Sequence, residues 1–496
     1  MLAGIAVCPA QDNGSQEITR DLDKYIRQAM EQLGTPGVSA GIIKDGKIIY
    51  LKGFGYANTS TQTAVTPQTL FAIASCSKAF TAAATAMLVE DKKLSWDTPV
   101  TGIDTAFALA DPCYTSQMKI ADLLCHRSGL QTFDGDMLWY GTDYTQEEIV
   151  RRIGYRELMY GIREKFGYQN VMYIEAARII AMVSGRPWDE YLRERFFNPL
   201  GMTRTLTSFA EVNRAENVAA PHLNGKPVPL VNYDNSWGAA GIVSSAEDLL
   251  KWVAMWLNNG VSGDSVILSP ESIQTLTGAW TPLPVSKSAA DEGTHFSAYG
   301  LGWFISDFAG VKVIQHSGGL PGYHSKVVLI PELNAGYVIL ANQIGMAVDA
   351  IHTEILGRIT DRNKTDRLSD YVSIAERIEQ MRSDQEQGII NRHDPESVDR
   401  ELFNRIDGVY EDRMYGPAEI TTVNGQSTLR LIPSGDILAG LLEPWYEKSA
   451  KIRFNDQYLP TGLVHFETTK DSIKGFTIEL ENPDFHFEKL YFGKQR

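Results

Sequence analysis

Cysteine is scarce in this chain. Four residues of 496 (Cys8, Cys76, Cys113 and Cys125) are too few for a disulfide framework, and none has the spacing of a zinc-ligand pair. No apolar run approaches the roughly 18 to 20 residues of a membrane span. No basic cluster offsets a formal net charge of −15, from 46 basic and 61 acidic residues, which argues against a nucleic-acid partner. There is no H-E-x-x-H zinc helix, no Walker or dinucleotide glycine pattern between strand and helix, and no G-x-S-x-G elbow, so no cofactor is expected. Internal repeats and low-complexity tracts are missing too.

What remains is ordinary globular composition, 43% hydrophobic and 22% charged, with length enough for two or more domains. Residues 1–17 form a tail. Its start, Met1 to Ala10, is apolar without a basic n-region and gives way to polar residues. That resembles the end of a signal peptide with a cleavage point after Ala10, so a periplasmic or secreted location is expected, with a cytoplasmic one as the alternative. Residues 16–33 carry an amphipathic helix pattern. Val38 to Ile43 and Ile48 to Lys52 flank Asp45-Gly46, a strong hairpin signal. From about 91 to 250 the pattern is mostly helical, and β-branched strands return at Val311–Gln315, Ser325–Ile330 and Gly336–Ala341. The expected fold class is therefore α+β: an antiparallel sheet built from both ends of a domain spanning 18–365, flanked by helices and carrying a helical lobe. A charged helical linker (366–400) leads to a second domain (401–496), whose short strands and close turns indicate a small antiparallel β-barrel or sandwich.

Chemistry is carried first by Ser75-Cys76-Ser77-Lys78, running into the alanine-rich stretch Ala79 to Glu90. A serine hydroxyl is a poor nucleophile until a base takes its proton, and spacing i, i+3 puts a lysine amine on the same helical face. In the first turn of a helix, Ser75 would meet unpaired N–H groups that favour developing negative charge. Ser116-x-x-Lys119 has the same spacing but is expected in the loop before a helix. Cys76 is expected to be a small core residue rather than a catalytic thiol.

Two further parts complete a reaction centre. Tyr168-x-Asn170 opens the apolar helix Val171 to Val183. A phenol whose pKa is lowered by a nearby ammonium can relay a proton, and Asn170 can orient Lys78. The bland alternative is that Asn170 caps the helix and Tyr168 packs on it. Tyr56-x-Asn58 and Tyr233-x-Asn235 share the spacing. His316-Ser317-Gly318-Gly319 follows a strand, where glycines let substrate approach the backbone and leave an N–H, that of Gly319, for an oxyanion. Trp237, Trp252 and Trp256 are expected in the core or a pocket wall.

Serine, tyrosine and H-x-G in this order resemble the serine β-lactamase-like and penicillin-binding-protein-like hydrolases, in particular the branch of class C β-lactamases, esterases and D-aminopeptidases. Leu123 to Leu130, Pro199 to Thr203, Gly238 to Asp248 and Tyr299 to Trp303 support the likeness, which covers about residues 18–360. The tail is similar to the lipocalin-like barrel often appended to such enzymes. The resemblance implies that Ser75 is acylated, that Lys78 and Tyr168 share its proton, that Asn170 positions them, and that the N–H groups of Ser75 and Gly319 hold the oxyanion. It implies a small-molecule or peptide substrate and says nothing of oligomeric state. His316 stands where β-lactamases of this family carry lysine, so carboxylate capture is expected to be weaker and pH-dependent. A peptidase or amidase acting on small or D-residue-containing peptides is the first expectation. Carboxylesterase, β-lactamase and a non-catalytic acyl-binding module are the alternatives.

Overall fold

The structure is a computed structural model that describes residues 13–362, 367–469 and 472–495; the apolar start of the chain, with Cys8 and the expected cleavage point, lies outside them. The expected first helix is two: α1 (Asn13–Thr19) and α2 (Leu22–Gln32), broken at Asp21, whose φ of 56° is left-handed. Next come β1 (Gly37–Lys44) and β2 (Lys47–Asn58). Both turn residues between them, Asp45 and Gly46, have positive φ (50° and 73°), as a tight turn matched to strand twist requires. β3 (Thr63–Ala64) precedes the helical lobe, in which α3 (Ser77–Glu90), α4 (Val171–Ser184) and α5 (Ala246–Leu257) are the long elements. The chain then returns to the sheet with β4 (Thr281–Pro282), β5 (Ser297–Tyr299), β6 (Phe304–Phe308), β7 (Val311–Leu320), β8 (Tyr323–Ile330) and β9 (Ala335–Ala341).

These nine strands form one antiparallel sheet in the order β4-β5-β6-β7-β8-β9-β1-β2-β3, so its centre joins the two ends of the domain. Val38 faces Ala341 and Lys44 faces Ala335 in the central β1–β9 pairing. Every residue of β9 is buried. The reason is that helices cover both faces: α2 and α6 (Ala347–Ile359) on one side, and α3 and α5 on the other. A strand covered twice loses its polar alternation. On the lobe side Phe80 of α3 stacks on Trp252 of α5 with ring centroids 3.9 Å apart. Each such fully buried aromatic contributes about 2–3 kcal/mol.

The linker is α7 (Leu368–Asn391), a 24-residue helix. Beyond it β10 (Gly408–Asp412), β11 (Gly416–Val423), β12 (Gln426–Leu431), β13 (Ala439–Tyr446), β14 (Ser449–Phe454), β15 (Gly462–Thr468), β16 (Ile473–Glu479) and β17 (Phe492–Lys494) close into an eight-stranded antiparallel barrel. β13 escapes sequence inspection because Pro444 interrupts it, and the register shifts between Pro444 and Tyr446, the bulge that proline in a sheet demands. Side chains fill the barrel: Tyr410, Phe476 and Phe492 are each 0% exposed, with the two phenylalanine rings stacked at 4.9 Å. Among the described residues no helix is long and apolar enough to cross a membrane.

Candidate active site

Ser75 sits in a 3-10 turn, Ala74–Cys76, that runs directly into α3; sequence pattern placed it one step later, in the first α-helical turn. Ala74 there has a φ of 48°, and left-handed backbone costs a residue with a Cβ about 1–2 kcal/mol. Two neighbours hold the strained turn from either side. Ile73 N–H donates to Ile242 O at 3.0 Å, and the Ser325 hydroxyl of β8 donates to Ile73 O at 2.7 Å.

One helical turn on, Lys78 is 0% exposed. Its Nζ reaches Ser75 Oγ at 3.0 Å, Asn170 Oδ1 at 2.6 Å and Ala239 O at 3.1 Å. Three acceptors match the three hydrogens of an ammonium, and loss of one proton lets the Ser75 hydroxyl donate to the amine instead. That proton is easily lost. Burial pushes Lys78 down to about 7, opposed in part by the charge of Asp136, so the amine is available near neutrality.

Asn170 immediately precedes α4 but makes no capping bond. Both ends of its amide are used: Oδ1 accepts from Lys78, and Nδ2 donates to Asp136 Oδ2 at 2.7 Å. Asp136 Oδ1 accepts from Trp139 Nε1 at 3.0 Å. Burial pushes the Asp136 carboxyl up to about 8 in spite of these bonds, with Asp484 of the barrel adding a like charge. Sequence reasoning missed Asp136, because nothing in Asp134-Gly135-Asp136 says which of the two buried carboxylates meets Asn170.

The loop before α4 places Tyr168 against the pair, 4.8 Å from ring centroid to Lys78 Nζ, with its phenol near enough to Ser75 to interact with it. The expected lowering of its pKa is reversed: burial raises the phenol well above its ordinary value, so Tyr168 holds its proton while Lys78 releases one. Tyr168 packs against His126, ring centroids 4.2 Å apart and planes tilted by 33°. His126 Nδ1 in turn accepts from Gln169 N at 3.0 Å and its carbonyl from Gly167 N at 2.9 Å.

His316 lies in β7, 1% exposed. Nδ1 lies 2.6 Å from Ser317 O and Nε2 lies 3.0 Å from Tyr299 Oη, a pattern satisfied by a neutral ring with its proton on Nδ1. Burial and the nearby Lys78 push His316 down to about 3. The expected pH-dependent capture of a carboxylate therefore finds no cation here. Two places on, a Cβ at Gly318 would lie 2.9 Å from Ser75 N and clash with Ile73 O; only glycine lets β7 come this close. β6 pairs with β7 only as far as Gln315, which frees the outer edge of β7 from His316 to Gly319. Gly319 is exposed there.

The other serines and tyrosines lie elsewhere. Ser116 falls within the short helix Pro112–Gln117, exposed and bonded to Cys113 O, and Lys119 pairs with Asp97. Gly37-Val38-Ser39-Ala40-Gly41 spells G-x-S-x-G, overlooked in the sequence. Ser39 is buried mid-strand, paired with Gly53 and Leu340, not on a strand-to-helix turn. Tyr56 is 44% exposed, and Tyr233 packs with Trp139 and Tyr140. Trp252 and Trp256 belong to the core, and Trp237 stacks on Trp188. Cys76 and Cys125 are buried free thiols, each pushed up to about 11. Among the described residues no group of three His, Cys, Asp or Glu side chains could hold a metal ion.

Fold and cluster together define the class of sheet-and-helix proteins in which a helix-borne lysine pairs with a serine beside a glycine-bearing strand edge. Residues 22–360 match the family described as Beta-lactamase, and the chain belongs to it. Unguisins hydrolase ungD' of Aspergillus campestris is 30% identical over 352 residues, 68% of this chain and 64% of that protein. Its namesake ungD of Aspergillus violaceofuscus is 30% identical over 363 residues, 67% and 63% of the two chains. Protein flp of Staphylococcus aureus is 26% identical over 355 residues, 69% and 67%. The chain thus spans a little under two thirds of the length of the two Aspergillus relatives. Among solved structures, an octameric penicillin-binding protein homologue from Pyrococcus abyssi superposes with a TM-score of 0.63 at 24% identity, over 98% of this chain and 100% of that one. The D-amino acid amidase of Ochrobactrum anthropi gives 0.56 at 24%, over 72% and 100%. Those two are likenesses of fold.

Proposed function

We propose that the protein is a serine hydrolase acting through an acyl-enzyme on amide bonds of small or D-residue-containing peptides. The observation that carries the reading is the 3.0 Å contact between Ser75 Oγ and the fully buried amine of Lys78, whose pKa lies at about 7. In this reading Lys78 takes the proton as Ser75 Oγ attacks the carbonyl carbon, and Tyr168, which keeps its proton, hands one to the leaving nitrogen and is reprotonated from Lys78. The N–H groups of Ser75 and Gly319 take the oxyanion. Water then attacks the ester carbon, which frees Ser75 and the acid. Asn170 orients Lys78 throughout.

Two observations narrow the substrate. Neutral His316 leaves no fixed cation where β-lactamases of this family hold a carboxylate, which disfavours β-lactam hydrolysis. A barrel loop seats Phe485 4.4 Å from the ring of Tyr140, the neighbour in sequence of the Trp139 that donates to Asp136, and a barrel held this near the site is read as favouring small substrates. The hydrolase names of the Aspergillus relatives point the same way at family level.

The test is turnover of D-alanyl amides against p-nitrophenyl esters and nitrocefin, with Ser75→Ala expected to lower every rate by at least about a thousandfold. Faster turnover of esters alone would make it a carboxylesterase. A stable adduct on Ser75 without turnover would make it an acyl-binding module.

A further inference from the structure

The segment Gln131 to Asp136 is bonded alternately to the barrel and to the active site. Toward the active site, Gln131 O accepts from Gln169 Nε2 at 2.5 Å, Thr132 Oγ1 accepts from Tyr168 N at 3.1 Å, and Phe133 N donates to Tyr168 O at 2.8 Å. Asp136 ends the segment on Asn170. Toward the barrel, the ammonium of Lys489 donates to Gln131 Oε1 at 2.6 Å and to Asp134 Oδ1 at 3.0 Å. Asp134 is only 2% exposed. The segment is also strained, since Phe133 has a φ of 64°, and such a backbone persists only where its surroundings over-determine it.

The backbone that carries Lys489 is anchored in the barrel. Lys489 ends the short turn Phe487–Lys489 between β16 and β17. Phe487 is 0% exposed inside the barrel, stacked on Phe454 at 5.8 Å, and Leu490 is 1% exposed. The catalytic domain holds Asp134 by two donors of its own, Arg156 Nε at 2.8 Å and, within the segment, Gln131 N at 2.9 Å. Arg156 grips a single carboxylate oxygen, whereas Lys489 bridges two side chains of the segment and fixes its course.

We propose that Lys489 of the C-terminal barrel is a positioning residue for the active site, acting through Gln131 and Asp134 to hold the segment that sets Tyr168 and Asn170. The barrel is then a working part of the catalytic apparatus rather than an appendage. This rests on the reading of Ser75, Lys78 and Tyr168 as the reacting groups, because only then does the placement of Tyr168 matter to a rate.

The experiment compares full-length wild type with Lys489→Met and Lys489→Arg by two measurements. One is kcat and KM on the best substrate found; the other is amide hydrogen exchange, by mass spectrometry, of peptides covering 131–136 and 167–170. Lys489→Met is expected to raise exchange in both segments while the barrel strands stay protected. It is also expected to lower kcat about 10- to 100-fold with little change in KM, as a misplacement near 1 Å does. Lys489→Arg restores most of both. Unchanged exchange in the two segments overturns the proposal, and so does raised exchange with kcat within twofold of wild type. If wild type shows neither turnover nor a Ser75 adduct, the hydrolase reading falls, and with it the consequence for rate; exchange still decides whether Lys489 holds the segment. Should Lys489→Met unfold, seen as exchange throughout the barrel, Lys489→Gln, which keeps an N–H donor, is measured in its place.

Discussion

Replacing Asp136 by asparagine removes a buried carboxyl that shares a proton with Lys78 and leaves the shape of the site almost intact. In the wild type Lys78 and Asp136 stand at opposite ends of the Asn170 amide, through hydrogen bonds of 2.6 and 2.7 Å. Two charges about 6 Å apart at an effective dielectric of about 20 interact by about 3 kcal/mol, or about two pKa units. With the carboxyl raised to about 8 and the amine lowered to about 7, the two groups share one proton; whenever it sits on the lysine, the negative Asp136 raises the Lys78 pKa against the larger lowering by burial. Without it the amine titrates below about 7. The acid limb of kcat/KM, which reports loss of the free amine as pH falls, is therefore expected to move to lower pH, by up to about two units. The plateau falls as well. An asparagine oxygen can still accept from Asn170, but its NH2 then faces the N–H of Trp139, and an unmet buried donor costs about 1–3 kcal/mol. The assay is the pH profile of kcat/KM between pH 4 and 9 on one neutral substrate, for wild type and Asp136→Asn together. An acid limb that stays in place or moves to higher pH refutes the reasoning, since it would mean that Asp136 carries no charge felt by Lys78.

Gly318→Ala places a methyl group 2.9 Å from Ser75 N and 2.5 Å from Ser325 Oγ. The strand edge must then retreat, at a cost of about 1–3 kcal/mol in denaturant unfolding, and turnover is expected to fall about 100-fold; an alanine variant with wild-type kcat would show that β7 need not approach Ser75 so closely. Tyr299→Phe removes the hydroxyl that His316 Nε2 contacts at 3.0 Å, leaving a buried acceptor unmet, and should destabilise the fold by about 1–3 kcal/mol. An unchanged urea midpoint would sink that account of the neutral His316.

Ser75, Lys78, Tyr168, Asn170, His316 and Gly319 could all be picked out of the sequence, because spacing along a helix or strand is a local property. So could the sheet made from both chain ends, because strand period and the Asp45-Gly46 turn are local as well. The barrel was legible in its texture, except where Pro444 disguised a strand. What local pattern could not give was the charge state of any of these groups. The sequence determined that a serine and a lysine share a helical face; burial of Lys78 beside Asn170, Asp136 and Ala239 O decided that the lysine, and not the tyrosine, gives up its proton easily. It determined a histidine at the strand edge; Tyr299 and the Ser317 carbonyl decided that the ring is neutral and structural. Nothing in the sequence of segment 131–136 points to the barrel, and tertiary structure turned it into the link between barrel and active site. Desolvation and long-range hydrogen bonds depend on which distant residues close over a group, and that is settled only when the chain has folded.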